Sequence, residues 1–354
     1  EPFVVSCTGE GQQQALGTPR AEPLGDPQDA DPACVSTRTR HRGPSWRISR
    51  SDRITIRPAT DDDFDDIIAL GVKCLGWNGD RRDRDFFRWK HHENPFGRSP
   101  AWVAESDGRL AGFRTFLRWR FVHGTTGETL EMVRAVDTAT DPDFQGRGIF
   151  RDLTMTAVEE LTAAGIDAVF NTPNAKSLPG YLKMGWVELG RPTVRIRPLS
   201  LRSLPRIAGA RAPAELWPDP GAPDHGEPVG DLPEHLFPDR PTWRTDRDAA
   251  FRGWRYRFEP LGYRQTSSEL GGSVYRLRRR GAAHEVSICE IHGRSPALGI
   301  DARQRGDYAL ALGDGMRGLP LPRQGPVVTW RALAAATVPT LDELDLGLGD
   351  VELF

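Results

Sequence analysis

Three strand-like stretches in direct succession, followed by one helix and another strand, restrict this chain more than any other feature. WVAES (102–106) and RLAGFRTFLRW (109–119) are joined by Asp107-Gly108, a hairpin signal, and TLEMVRAVDT (129–138) follows. Residues 148–163 then place Ile149, Leu153, Val158 and Leu161 along one helical face, and IDAVFNTP (166–173) is a short apolar strand. Before this block, ITIRPA (54–59) alternates like a strand. Thr60 and Asp61-Asp62-Asp63 supply a cap and an acidic first turn for a helix carrying Phe64, Ile67, Ile68 and Val72. A second helix is expected near 83–93, closed by Pro95 and Gly97. The elements predict a mixed α/β (α+β) fold.

Length and composition divide the chain. Its 354 residues are enough for two domains. Residues 1–50 have no apolar period and end in a basic run, Arg38 to Arg50, so they read as a flexible N-terminal arm. Residues 51–199 form the first domain, with VRIRPL (194–199) as its closing strand. The Pro/Gly-rich stretch 200–241 reads as a linker, and 242–354 as a C-terminal domain. That domain is expected to hold a helix at 246–258, strands at 273–280 and 285–292, a short helix around 302–313, and a strand or helix at 327–333.

D-x-x-F-x-x-W-[K/R]-x-x-x-x-P-x-G occurs twice. Asp83, Phe86, Trp89, Lys90, Pro95 and Gly97 recur at a constant offset as Asp248, Phe251, Trp254, Arg255, Pro260 and Gly262. A duplicated domain, with its second copy degenerate, is one reading; chance helix patterning is the other.

Charge and cysteine usage exclude several classes. A formal net charge of -2 gives no general electrostatic case for nucleic-acid binding. Cys7, Cys34, Cys74 and Cys289 lie far apart without a CxxC, so neither a zinc site nor a disulfide framework is indicated. No run approaches 18 apolar residues, and no membrane partner is expected. The chain reads as cytoplasmic. RLRRR (276–280) reads as a solvated strand edge, and His284, Glu290 and His292 do not make a metal shell.

The segment richest in chemistry is TATDPDFQGRGIF (138–150), which leaves a strand, turns, and enters a helix behind Gln145-Gly146-Arg147-Gly148. The first amides of a helix are unpaired donors at its positive end and suit a phosphate, but from the residues alone the signal is weak and an ordinary turn is the leading reading. It is neither a P-loop nor a dinucleotide-binding fingerprint.

This segment resembles the [Q/R]-x-x-G-x-[G/A] signature of the GCN5-related N-acetyltransferase (GNAT) superfamily. Gln145 and Gly148 match, and Phe150 departs from the small final residue. A second motif, N-x-x-[A/S]-x-x-x-Y-x-K-x-G-[F/W], is matched by Asn174, Ser177, Tyr181, Lys183, Gly185 and Trp186. The resemblance covers residues 53–198 well and 242–354 weakly, where no second signature occurs.

It implies a strongly bent central sheet and an acetyl-CoA-dependent N-acetyltransferase, and the tandem arrangement resembles that of two-domain members. The turn Gln145, Gly146, Arg147, Gly148, with Ile149 and Phe150, would hold the pyrophosphate. Thr138, Ala139 and Thr140 would meet the pantetheine arm, with Asn174 and Ser177 adding contacts. Tyr181 would protonate the departing thiolate. Acetyl-CoA would be the cosubstrate, no metal would be needed, and the acceptor would be a primary amine on a small molecule or protein. A homodimer is compatible.

An amine must be neutral before attack, so a base is required. Glu131 and Asp137 share side-chain parity on the entering strand and are the candidates; His91 and His92 lie on the helix expected to shape the acceptor pocket. A longer acyl or aminoacyl donor, and a non-catalytic coenzyme A-binding scaffold, are the rival readings.

Overall fold

The computed structural model describes residues 53–218, 226–230, 240–268, 271–293, 306–334 and 337–351; the expected arm at 1–50 lies outside them. The first half runs β1 (Thr55–Pro58), α1 (Phe64–Leu75), α2 (Arg81–His92), β2 (Ala101–Ser106), β3 (Arg109–His123), β4 (Thr129–Thr140), α3 (Ile149–Ala163), β5 (Ala168–Asn171), α4 (Leu178–Lys183), β6 (Val187–Gly190) and β7 (Val194–Pro198). Thr60 and Asp63 form the capping box ahead of α1, and Asp80 caps α2 through the Asp83 amide. Asp107 and Gly108 both have positive φ (51° and 75°), as the tight β2–β3 turn requires.

Strands β1 to β4 pair antiparallel in sequence order, and α3 is the crossover that lays β5 parallel to β4. Side-chain alternation explains the layers. Trp102 and Ala104 face α3, whose Ile149, Leu153, Ala157 and Leu161 are buried in the same cluster. Val103 faces the other way, against Ile67, Ile68 and Leu70 of α1 and Phe87 of α2.

The second half runs α5 (Leu204–Ala208), β8 (Trp243–Thr245), α6 (Ala249–Arg257), β9 (Arg264–Ser268), β10 (Gly271–Arg280), β11 (Ala283–Gly293), β12 (Tyr308–Leu312), β13 (Leu319–Leu321), β14 (Val328–Ala332), β15 (Leu344–Asp345) and α7 (Leu348–Val351). Its sheet has the order β9-β10-β11-β12-β7-β13, while the first has β1-β2-β3-β4-β5-β14-β6, with β8 added on β3 and β15 on β8. The two orders correspond strand for strand from β2 and β9 onward, including one parallel pair in each, β4–β5 and β11–β12. Both carry a bulge one strand before that parallel partner: Asp137 is the extra residue opposite Arg114 and Thr115, and Cys289 opposite Val274 and Tyr275.

The closing strands are exchanged. VRIRPL does not complete the first sheet: β7 crosses into the second, between β12 and β13. The first sheet is completed by β14, between β5 and β6. Alternation in the sequence marks a strand but not its partner, and both segments alternate.

Three further expectations change. Residues 308–312, expected within a helix, form the buried strand β12. RLRRR is no solvated edge: Arg276, Arg278 and Arg280 are buried, and Glu285 accepts from Arg278 and Arg280 at 2.8 Å each. The described part of 200–241 packs rather than merely connecting, with Trp217 edge-on to Phe86 and Arg82 over its ring. Among the described residues no helix is long and apolar enough to cross a membrane.

Candidate functional site

The site begins where β4 parts from its parallel neighbour. β4 and β5 pair only from Met132 to Arg134, so the β4 residues beyond the bulge leave their β5-facing edge without a strand. Thr138, Ala139 and Thr140 lie on that stretch. The chain then turns at Asp141, whose buried carboxylate accepts from the Asp143 amide, Lys73 and Arg109. Gly146 and Gly148 follow at φ 76° and 80°, left-handed backbone that favours glycine. Gly148 is the N-cap of α3, with no side chain to satisfy the first helical amides; the first helical acceptor is its own carbonyl, bonded by the Asp152 amide. These amides are left as donors at the positive end of the helix, beside an exposed turn.

A cavity of about 370 Å³ lies against this turn. Thr138, Ala139, Thr140, Gln145, Phe150, Asn174 and Ser177 line it, all named from the sequence. Gly146, Arg147 and Gly148 lie on the exposed turn beside it. Ile149 turns into the core instead, 2% exposed. Asn174 is also tied locally: its Oδ1 accepts from the Lys176 and Ser177 amides, shaping the loop before α4.

Cys74, Leu75, Lys176 and Gly180 line the same groove and escaped the sequence reading. Lys176, between the motif's Asn and Ser, offered a signal: a cation beside an expected diphosphate. Cys74 and Leu75 offered none, because only the fold brings the end of α1 to β4. Burial pushes the Cys74 thiol up, so it is a poor nucleophile.

The expected acid–base groups are placed differently. Glu131 lies at the start of β4, paired with Arg120 at 2.7 Å. Seven strand residues, about 23 Å, separate it from Thr138, which removes it from the groove. The bulge breaks the parity that grouped it with Asp137. Asp137, at φ 33°, turns its carboxylate to Lys90 Nζ and His91 Nε2, each 2.7 Å away and all three buried. Burial alone would raise its pKa, but Lys90 and His91 outweigh this and hold the carboxyl at about 2. So weak a base is unsuited to taking an amine proton.

Tyr181 is 1% exposed, packed edge-on against Phe150 and Trp186. Its hydroxyl accepts a hydrogen bond from Arg114, a fully buried guanidinium on β3 directly opposite Thr138. Arg114 also lies over the Phe150 ring. Tyr181 therefore stands behind a groove-lining residue, linked to the strand pair that carries the bulge. His92 is half-buried on the α1 side, while His91 is sequestered with Asp137.

Residues 55–188 match the model of the acetyltransferase (GNAT) domain. Solved structures agree in fold: a conserved protein of unknown function from Enterococcus faecalis V583 (12% identity, covering 79% of this chain and 73% of that one, TM-score 0.55) and a GCN5-related N-acetyltransferase from Kribbella flavida (13%, 80% and 71%, 0.51). Another such enzyme, from Anabaena variabilis ATCC 29413, aligns at 13% identity over 79% of this chain and 73% of that one, with TM-score 0.51. The fold is GNAT-like. No curated protein matches in sequence. The GNAT match ends inside β6, so the strand that completes this GNAT-like sheet, β14, lies beyond it. In the GNAT-like half, the cavity occupies the divergence of β4 and β5, at the N-terminus of α3.

Proposed function

We propose that the chain transfers an acetyl group from acetyl-CoA to a primary amine of a small molecule or protein. One observation carries this reading: seven residues that the family resemblance assigns to coenzyme A, four from two separate sequence motifs and three from the strand that leads into the first, line a single groove at the open N-terminus of a 15-residue helix. The groove fits the group. The amides of α3 and the turn suit a diphosphate, Lys176 adds a cation, and the unpaired β4 edge suits the amides of a pantetheine arm. The thioester supplies an activated carbonyl when bound. The chain's own part is to hold that carbonyl against β4 beyond the bulge, where backbone amides can polarise it. Tyr181 stays the candidate proton donor by its place in the second motif; its hydroxyl is held by Arg114 behind Phe150, so the leaving sulfur has to reach it past that ring. Neither Glu131 nor Asp137 is proposed as the base.

The second half is proposed to be a related, degenerate copy that completes the first. Its support is the matching strand order, the matching bulge and the exchanged closing strands. At the positions beyond its bulge, Glu290 and His292 are buried and hydrogen-bonded to each other at 2.8 Å, and Arg252 donates to Glu290 at 3.0 Å. α7 packs there too, with a Cβ at Gly347 falling 2.7 Å from the Cys289 carbonyl. The second sheet's divergence is thus filled by protein.

Titration of the full chain with acetyl-CoA, followed by thiol release across an amine panel, tests the reading. Saturable binding with acceptor-dependent release supports it. Binding without release for any amine or acyl-CoA favours the scaffold reading; no binding overturns both.

A further inference from the structure

Among the described residues three non-glycines have positive φ. Asp107 and Arg323 lie in turns, whereas Asp137, at 33°, lies within β4. Such a backbone is costly for a residue with a Cβ and persists only where its surroundings hold it. Here they do. Lys90 Nζ and His91 Nε2, both from the last turn of α2, hold the Asp137 carboxylate at 2.7 Å each. From β3, the Thr115 hydroxyl donates to the Val136 and Asp137 carbonyls at 3.1 and 3.3 Å.

Stability alone is a poor reason for this buried cluster. Taking a lysine and a carboxylate out of water costs about what their attraction returns, and an apolar replacement is often neutral. What the cluster fixes is a conformation. Asp137 is the extra residue of the bulge, so its φ sets the direction of Thr138, Ala139 and Thr140, which line the groove. The second half offers a comparison. Its bulge residue, Cys289, has no carboxylate and no positive φ. At the repeat offset Lys90 and His91 become Arg255 and Tyr256. Arg255 donates to Tyr263 and to the Gly349 carbonyl, and Tyr256 donates to Glu290. The carboxylate clamp thus accompanies the open groove and is missing where the divergence is filled.

We propose that Lys90 and His91 are positioning residues for acyl transfer: by holding Asp137 they keep the bulge left-handed, so that the backbone amides of Thr138–Thr140 meet the thioester carbonyl. The inference rests on the acetyl-CoA reading of the groove and adds to it which side chains set the carbonyl's polarisation. They act through the backbone and exchange no proton with the substrate.

Infrared spectra of acetyl-CoA, isotope-labelled at the carbonyl carbon and bound to the full chain, test this without an acceptor, because donors on the carbonyl oxygen lower its stretching frequency. Two double variants remove the clamp equally and differ by one methyl group. Lys90→Met with Asp137→Ala leaves a residue that disfavours left-handed backbone, and Lys90→Met with Asp137→Gly leaves one that adopts it freely. The unaltered chain should hold the carbonyl below the frequency of free acetyl-CoA. The alanine chain should lose that shift and roughly tenfold in kcat, and the glycine chain should recover most of both, with acetyl-CoA affinity nearly retained. Equal shifts in the two variants, both kept or both lost, overturn the proposal. So does an unshifted carbonyl on the unaltered chain, which leaves acetyl-CoA binding intact; absence of binding overturns both readings. A shifted carbonyl that the alanine chain loses and the glycine chain recovers, without thiol release to any amine, refutes the transfer and upholds the clamp. If the alanine chain does not fold, Asp137→Thr and Asp137→Asn replace alanine and glycine in the same pair, since both keep an oxygen for His91 and asparagine alone of the two tolerates positive φ.

Discussion

Trp89 and Trp254 each donate their indole N–H to the other's backbone carbonyl, both at 2.8 Å. Their rings stack 5.3 Å apart at 25°, and both are buried. The repeated D-x-x-F-x-x-W motif therefore does more than mark two similar helices: it brings them together as a reciprocal pair. Trp89→Phe and Trp254→Phe should each cost about 1–2 kcal/mol, since each removes one donor from a buried carbonyl. The double variant should depart from additivity by at least about 0.5 kcal/mol, because the rings share one stack. Urea unfolding of the four chains checks this; strict additivity would mean the contact carries no coupling.

His91 makes stability depend on pH. Burial lowers its pKa from 6.5 to about 4, although Asp137 pulls the other way. The unfolded chain takes up this proton below about 6.5, whereas the folded chain resists it until about 4. Stability from this group is thus present above the unfolded pKa and lost as pH falls between those values, by about 3 kcal/mol in all. His91→Gln, which keeps a donor to Asp137, should show a flatter melting-temperature profile between pH 7 and 4.5. An identical profile in both chains would contradict the assignment.

The pieces of the site were legible in the sequence, but not their closure. Gln145, Gly148 and Asn174 sit in local turns whose chemistry a short motif specifies, and the groove assembles from them. Lys90, His91 and Asp137 could not be joined from sequence, because a bulge re-aimed Asp137 and alternation alone gave it Glu131's face. The arginines of 276–280 resembled a solvated edge for a similar reason: only the fold supplies Glu285 as their buried partner. The exchange of β7 and β14 was also out of reach, since both are short alternating strands with equal claims on either sheet.

Gly148→Val should weaken acetyl-CoA binding by more than about tenfold. The residue is left-handed at φ 80°, and a Cβ there would find its nearest neighbour, Asp152, at 3.7 Å. The penalty is therefore backbone conformation, about 1–2 kcal/mol, rather than a clash. Relaxing the turn to a β-branched geometry redirects the amides meant for the diphosphate. Calorimetry with acetyl-CoA and a melting curve on the same variant separate the two effects; unchanged affinity in a folded variant would sink the anion-site assignment.

Tyr181→Phe tests structure and chemistry together. It removes the acceptor for a fully buried Arg114, which should cost about 1–3 kcal/mol. If the hydroxyl also assists the leaving thiolate, kcat should drop roughly tenfold to a hundredfold, near the low end of general-acid effects, with acetyl-CoA affinity nearly retained. Adding Arg114→Met should restore part of the stability but none of the rate. Wild-type kcat in Tyr181→Phe would leave Tyr181 as Arg114's partner alone.

The strand exchange fixes what can be cut from this chain. A fragment of residues 51–199 contains the whole segment that matches the GNAT domain, yet it lacks β14. β5 and β6 would then face each other across the space of a missing strand, and Trp330, 0% exposed against Phe121 and Phe170, would be lost from the core. β7, with Val194 and Ile196 buried in the second sheet, would have no sheet to enter. Exposed strand edges of this kind pair with other chains. The fragment should therefore aggregate, or show no cooperative unfolding transition, while residues 51–354 unfold cooperatively. Adding a peptide spanning 326–334 in trans should recover part of the fragment's solubility. A soluble, cooperatively folded 51–199 fragment would show that β14 is dispensable and that the two halves are separable units.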